Sequence, residues 1–213
     1  VRYLLERGRL FRSSGKGELA VPQFEKAFRL GRRFGVDYHA VDAAHMVAIS
    51  VDSTEARRRW SLLGIDIASA STQPRVRHWL GSIQNNLGWD YHEAGEYDLA
   101  LDMFKKALAA RLEEEDAEAT STARWCVARC YRSLNRVSEA LRIQLALLAE
   151  DAGAEDGYVH EELGELYLLQ EDENSSVTHF AEAWRLLSAD DWLRANEVER
   201  LDRIRRLAGI EAD

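Results

Sequence analysis

"NNLGWDYHEAGEYDLALDMF", running from Asn85 to Phe104, decides how the rest of the chain is read. It sets a small residue, Gly88, three positions before an aromatic, Tyr91, and follows with Ala100 and Phe104. Ala107 continues the series just beyond it. The same offsets return in Gly8, Phe11, Ala20, Phe24 and Ala27, and in Gly164, Tyr167, Ser176, Phe180 and Ala183. Two looser copies fill the gaps: Ala128, Tyr131, Ala140, Gln144 and Leu147, and Ala44, Val47, Ala56, Trp60 and Leu63. Units of about 40 residues, a length typical of helical repeats, therefore begin near residues 1, 37, 81, 121 and 157.

These offsets have a physical meaning if each unit is two helices. The small residue of the first helix lets a neighbour approach, and the aromatic one turn on fills the space beside it. In the second helix the small–aromatic–small series, spaced +4 and +3, stays on one face. Gly15, Gly95 and Asn135 fall where helices end and φ > 0 costs least. Ser53, opening "STEARRRW", reads as an N-cap. The stretches "ASASTQP", "EEEDAEATS" and "DAGAEDG" read as the loops between units. "DDWLRANEVERLDRIRRLAGI" reads as one capping helix, about 190–208, with Trp192, Leu193, Val198, Leu201, Ile204 and Leu207 on an apolar stripe. Proline is scarce, at 2 residues, and no run alternates with period two, so no sheet is expected.

The pattern resembles the tetratricopeptide repeat (TPR) family, whose units follow W-x2-L-G-x2-Y…A-x3-F…P. This sequence lacks the closing proline, has Arg7 where an apolar residue is usual, and has Gln144 where an aromatic is usual. The resemblance implies an all-α fold: a right-handed α-solenoid of antiparallel helix pairs, here one array over 1–213 with a C-terminal capping helix. It also implies that the first helix of each unit lines a concave groove and that ligand contacts come from that face. The basic run "ARRRW" at 56–60, on a second helix, would then be solvated convex surface.

At 100° per residue, with Asn85 at 0°, Trp89 lies near about 40° and His92 near about −20°. Leu87, Gly88 and Tyr91 point elsewhere, into the repeat packing. Asn85, Asn86, Trp89 and His92 are thus candidate groove residues, joined from other units by His45, Trp125, Arg129, Arg132, Glu161 and Glu165. An Asn amide offers a donor and an acceptor to an extended backbone, and Asn is a poor helix former that needs an offsetting use. Arginine forks carboxylates, and tryptophan anchors partners at low entropy cost. Each also has a plainer reading. Trp89 and Trp125 can pack against adjacent helices, Arg129 and Arg132 can pair with Glu161 and Glu165, and His45 and His92 can be ordinary half-buried histidines.

The formal charge of −9 argues against nonspecific nucleic-acid binding. It is uneven, +6 over residues 1–78 and −15 over 79–213. There is no apolar run long enough for a membrane helix, and "VRYLLERGRLFRSSGKG" shows no long apolar stretch ahead of a small-residue cleavage site. Cys126 and Cys130, four apart on one helix face, read as reduced thiols of a cytoplasmic protein rather than a disulfide framework. No phosphate loop, nucleophile elbow or zinc-protease motif is present. The expectation is a non-enzymatic scaffold with no cofactor and no metal that binds a protein or peptide segment. Self-assembly into a homo-oligomer is the alternative, and a groove enzyme using His45, His92 and Glu161 the least favoured reading.

Overall fold

Among the described residues the chain alternates long helices and short turns. In order these are α1 (Arg2–Ser13), α2 (Gly17–Arg33), α3 (Asp37–Ala48), α4 (Thr54–Ala70), α5 (Pro74–Arg77), α6 (Trp79–Glu93) and α7 (Tyr97–Glu113). They continue with α8 (Ala117–Ser133), α9 (Val137–Leu148), α10 (Gly157–Leu169), α11 (Glu173–Leu187), α12 (Asp191–Asn196) and α13 (Val198–Leu207). A 3-10 turn lies at Gly153–Glu155. The computed structural model describes residues 1–150 and 153–211. Asp151 and Ala152, in the "DAGAEDG" loop, lie outside the described residues. The chain divides into two compact units, Val1–Ala123 and Arg124–Asp213.

Consecutive helices pack as pairs, α1 on α2, α3 on α4, α6 on α7 and α10 on α11, and the short turns between them make each pair antiparallel. The repeat offsets explain how closely they meet. A Cβ added at Gly8 would sit 2.4 Å from the Phe24 ring, one at Gly88 2.6 Å from Phe104, and one at Gly164 3.0 Å from Phe180. Each phenylalanine is fully buried against the bare backbone of its glycine. Removing such a ring costs about 3–5 kcal/mol, so these three contacts are the main fasteners of their pairs. At the matching places of the looser fourth copy stand Ala128 and Gln144, both buried. The Gln144 amide has neither its oxygen nor its nitrogen hydrogen-bonded.

The turns follow the sequence closely. Gly15, Gly95 and Asn135 take φ of 71°, 76° and 58°, and the Ser53 hydroxyl accepts from the Ala56 amide at 3.3 Å. Glu115 and Glu171 also adopt left-handed backbone, at 56° and 61°. Nothing in their identity announces this, because only the geometry of the turn demands it. The extra length before the third unit is α5, inserted after "ASASTQ", whose Pro74 starts a one-turn helix.

Two expectations need correction. The capping segment is two helices, broken at Glu197 with φ −122° and ψ 37°. The Asn196 amide donates to the Trp192 carbonyl at 2.9 Å, and an asparagine that bonds backbone in this way ends a helix readily. The break turns Trp192 and Val198 to solvent, 62% and 54% exposed, while Leu193, Leu201 and Ile204 remain in the core with Phe180 and Leu187.

The "ARRRW" run is also not simply solvated. Arg57 donates to Asp90 at 2.6 Å. Arg58 donates to Glu96 and to the Asp90 carbonyl, both at 2.9 Å, and lies over the Tyr91 ring. Trp60 meets Phe28 edge-on. Of the run's three arginines, Arg59 alone is largely exposed.

Candidate binding site

In Val1–Ala123, α6 presents Ser82, Asn85 and Asn86 along one side. Together with Arg111 from α7 and Glu118 and Thr122 from the first turns of α8, they line a cavity of ≈ 400 Å³. Arg111 lies flat over Gly81, where a Cβ would fall 2.5 Å from its Nε. The guanidinium donates to the Ser82 hydroxyl at 2.6 Å and to Glu114 at 2.8 Å, so it forms a fixed wall. Asp116, also at the cavity, accepts from the Ala119 amide at 3.0 Å and starts α8. The Asn85 Oδ1 is buried and accepts no hydrogen bond. A buried acceptor left unmade costs about 1–3 kcal/mol, so this atom favours any donor that enters.

The structure does not bring Trp89 and His92 to this cavity. The Trp89 indole packs edge-on against Phe104, with ring centres 5.2 Å apart. It also meets His92 at 5.2 Å, and His92 continues to Tyr97 at 5.1 Å. These rings extend the repeat packing between α6 and α7. His45, on α3, lies 5.3 Å from the Trp79 ring, which also meets Tyr38. Burial lowers the His45 pKa, Asp42 opposes that shift, and Arg12 and Arg9 add to it. Asp42 is itself buried and clasped by Arg9 through two bonds of 2.6 and 2.7 Å.

In Arg124–Asp213 the candidate residues form charge pairs. Arg129 donates to Glu162 at 2.9 Å, and Arg132 donates to both Glu162 oxygens at 2.8 and 2.9 Å. Glu161 is clasped by Arg200 from α13, through Nε at 3.0 and 3.1 Å. Glu165 is paired with Arg203, and more loosely with Arg132 at 3.7 Å. The Trp125 indole donates to the Tyr158 carbonyl at 3.1 Å. The arginines thus pair across helices, as the plainer reading held, but their main partner is Glu162 rather than Glu161.

Glu162 was not singled out from the sequence. Burial raises its pKa to about 7, Arg132 pulls it down, and Glu161 and Glu165 add to the rise. One signal would have found it: Arg129 precedes Glu162 by the same 33 residues that separate Arg9 from Asp42. Arg111, Ser82 and the buried Gln84 were missed because the repeat signature places no demand on them.

Among the described residues no helix is long and apolar enough to cross a membrane, and no group of three or more His, Cys, Asp or Glu could hold a metal ion. Residues 79–149 match the tetratricopeptide repeat family. Comparison with curated protein sequences gives no match.

Among solved structures, the fold is similar to BtubC (BKLC) from P. vanneervenii. That match has TM-score 0.69 and 16% identity, covering 91% of this chain and 84% of that one. It is also similar to a MamA RS-1 double mutant, with TM-score 0.67 and 14% identity, over 89% of this chain and 96% of that one. A third match is YrrB, described as a TPR protein with an unusual peptide-binding site. Its TM-score is 0.62 and its identity 16%, over 92% of this chain and 90% of that one. At these identities the likeness establishes the fold.

Proposed function

We propose that this chain, a tetratricopeptide-repeat protein, is a non-enzymatic scaffold that holds an extended segment of a partner protein against α6, in the cavity floored by Asn85. The observation that carries the reading is the buried Asn85 Oδ1 with no hydrogen-bond donor, on a residue that lines a cavity of ≈ 400 Å³. A peptide backbone presents N–H and C=O groups in alternation. Asn85 and Asn86 can each accept from one and donate to the other, while the Arg111 wall and the Thr122 and Glu118 side chains fix its register. The groove roles foreseen for Trp89, His92, Trp125, Arg129, Arg132, Glu161 and Glu165 give way, in this reading, to packing and to charge pairing within each unit. The peptide-binding site described for YrrB supports the class of function.

The test is a displayed library of ten-residue peptides selected on the wild-type chain. Selected sequences, measured by calorimetry, should bind Asn85→Ala at least about tenfold more weakly, the loss of one well-made hydrogen bond to a buried acceptor. Undiminished binding to Asn85→Ala, with Glu118→Lys equally silent, would place the peptide elsewhere. A second reading, self-association, draws on the outer face of α1, where Tyr3 and Leu10 are 71% and 67% exposed two turns apart. A monomeric mass in solution across a hundredfold concentration range would exclude it.

A further inference from the structure

We infer that His160 and His179 form a binding site for a first-row divalent metal ion of tetragonal preference, the class of Cu(II) and Ni(II). His160, on α10, is 8% exposed, and His179, on α11, is half-buried. Their Nδ1 atoms approach to 3.0 Å. The His160 Nε2 faces the Ala154 carbonyl at 3.3 Å. A carbonyl only accepts, so that nitrogen donates to it, and in this tautomer the His160 Nδ1 lone pair faces His179. Without metal, one proton from His179 fills the gap. A metal ion displaces that proton, which passes through solvent to the outer Nε2 of His179, and the two rings turn until both Nδ1 lone pairs meet the ion.

The spacing selects the ion. With metal–nitrogen bonds of about 2.0–2.1 Å, nitrogens 3.0 Å apart subtend about 90–97° at the metal, the angle between adjacent corners of a square. A tetrahedral ion such as Zn(II) asks for about 109°, hence roughly 3.3 Å between the nitrogens, and requires the helices or rings to part.

The rings are held for this task. Tyr167 stacks flat on His179, 5.5 Å between centres and 6° between planes. The Ala154 carbonyl orients His160 as backbone carbonyls orient metal-ligating histidines elsewhere. Glu182, one turn along α11, is engaged by Arg185 at 2.7 Å. The protein therefore supplies two nitrogens and leaves the remaining corners to water or a small anion, which predicts a labile ion rather than a permanent one. A bound ion would also pin α10 to α11.

The experiment uses the full chain without an affinity tag, titrated with Cu(II), Ni(II) and Zn(II) by calorimetry and followed by thermal unfolding. Expected are affinities in the order Cu(II) > Ni(II) > Zn(II), a rise in Tm with Cu(II), and at least tenfold weaker Cu(II) binding in His179→Ala. His78→Ala, which changes an exposed histidine, should bind as the wild type does. Electron paramagnetic resonance of the wild-type Cu(II) protein should show two coordinated imidazole nitrogens. This arm stands even if His179→Ala fails to fold. Equal Cu(II) affinity in His179→Ala, or a spectrum with a single imidazole, would reduce the binding to scattered surface histidines and overturn the assignment.

Discussion

On α10, Glu161 is clasped by Arg200, Glu162 by Arg129 and Arg132, and Glu165 by Arg203. The same register on α6 reads Asn85, Asn86 and Trp89. There Asn85 keeps a buried acceptor with no donor, and Trp89 leans onto Phe104. The repeat geometry is common to both helices, fixed by Gly164 on Phe180 and by Gly88 on Phe104. What differs is whether the remaining face has been used up. Within Arg124–Asp213 that face is satisfied by the fold itself. Within Val1–Ala123 it retains unmet hydrogen-bonding capacity beside open space, which is the condition for holding something else.

Breaking the charged face should cost most. Glu162→Ala leaves two half-buried guanidinium groups without their main partner, and should lower the unfolding free energy by about 3 kcal/mol in urea denaturation. The pH dependence comes next. A carboxyl whose pKa rises from 4.5 to about 7 on folding binds more protons in the folded chain. Its stabilising share is complete below about pH 4.5 and lost as pH rises through about 7. Wild-type stability measured by denaturation should therefore fall across that window, on the order of 1–3 kcal/mol. Glu162→Gln should flatten the fall, and an unchanged slope would show that Glu162 is not its source.

Two amides sharpen the comparison further. Gln144 and Asn85 both bury atoms with no partner, but Gln144 is fully enclosed whereas Asn85 opens on a cavity. Gln144→Leu should raise the unfolding free energy by about 1–2 kcal/mol, seen as a higher urea midpoint, because it removes an uncompensated polar group at similar volume. Asn85→Ala should shift stability least, within about 0.5 kcal/mol, while weakening peptide binding. If Asn85→Ala instead costs as much as Glu162→Ala, the α6 face is structural too and the contrast disappears.

The fold was legible because its key contacts are local and depend on residue type. Gly88 must be small for Phe104 to seat, and the pair recurs at a fixed offset. The same logic found Gly15, Gly95 and Asn135. The site was legible only in part. A helical wheel places Asn85, Trp89 and His92 in one sector, but it cannot say that a large indole will fold back onto Phe104 while a short amide stays behind. The Arg–Glu partners were harder still, since arginine and glutamate are common on any helix. Whether Arg129 reaches Glu161 or Glu162 is set by how α8 and α10 pack, a tertiary fact with no local trace beyond the 33-residue spacing. The break at Glu197 was missed because the apolar spacing runs on past it, and the Asn196 amide bonding to backbone outweighed the pattern.

That break also makes α13 a helix of its own, with its own attachments. Leu201 and Ile204 tie it to α11, and Arg200 and Arg203 tie it to α10. The Arg203 side chain is 46% exposed, so its attraction to Glu165 is screened by salt, whereas the apolar contacts are not. Local opening of α13 should therefore quicken as ionic strength rises, with amide hydrogens from Leu201 to Leu207 exchanging sooner while those of α10 hold their rate. The helix that covers α11 would then be a fastening whose tightness tracks the salt around it.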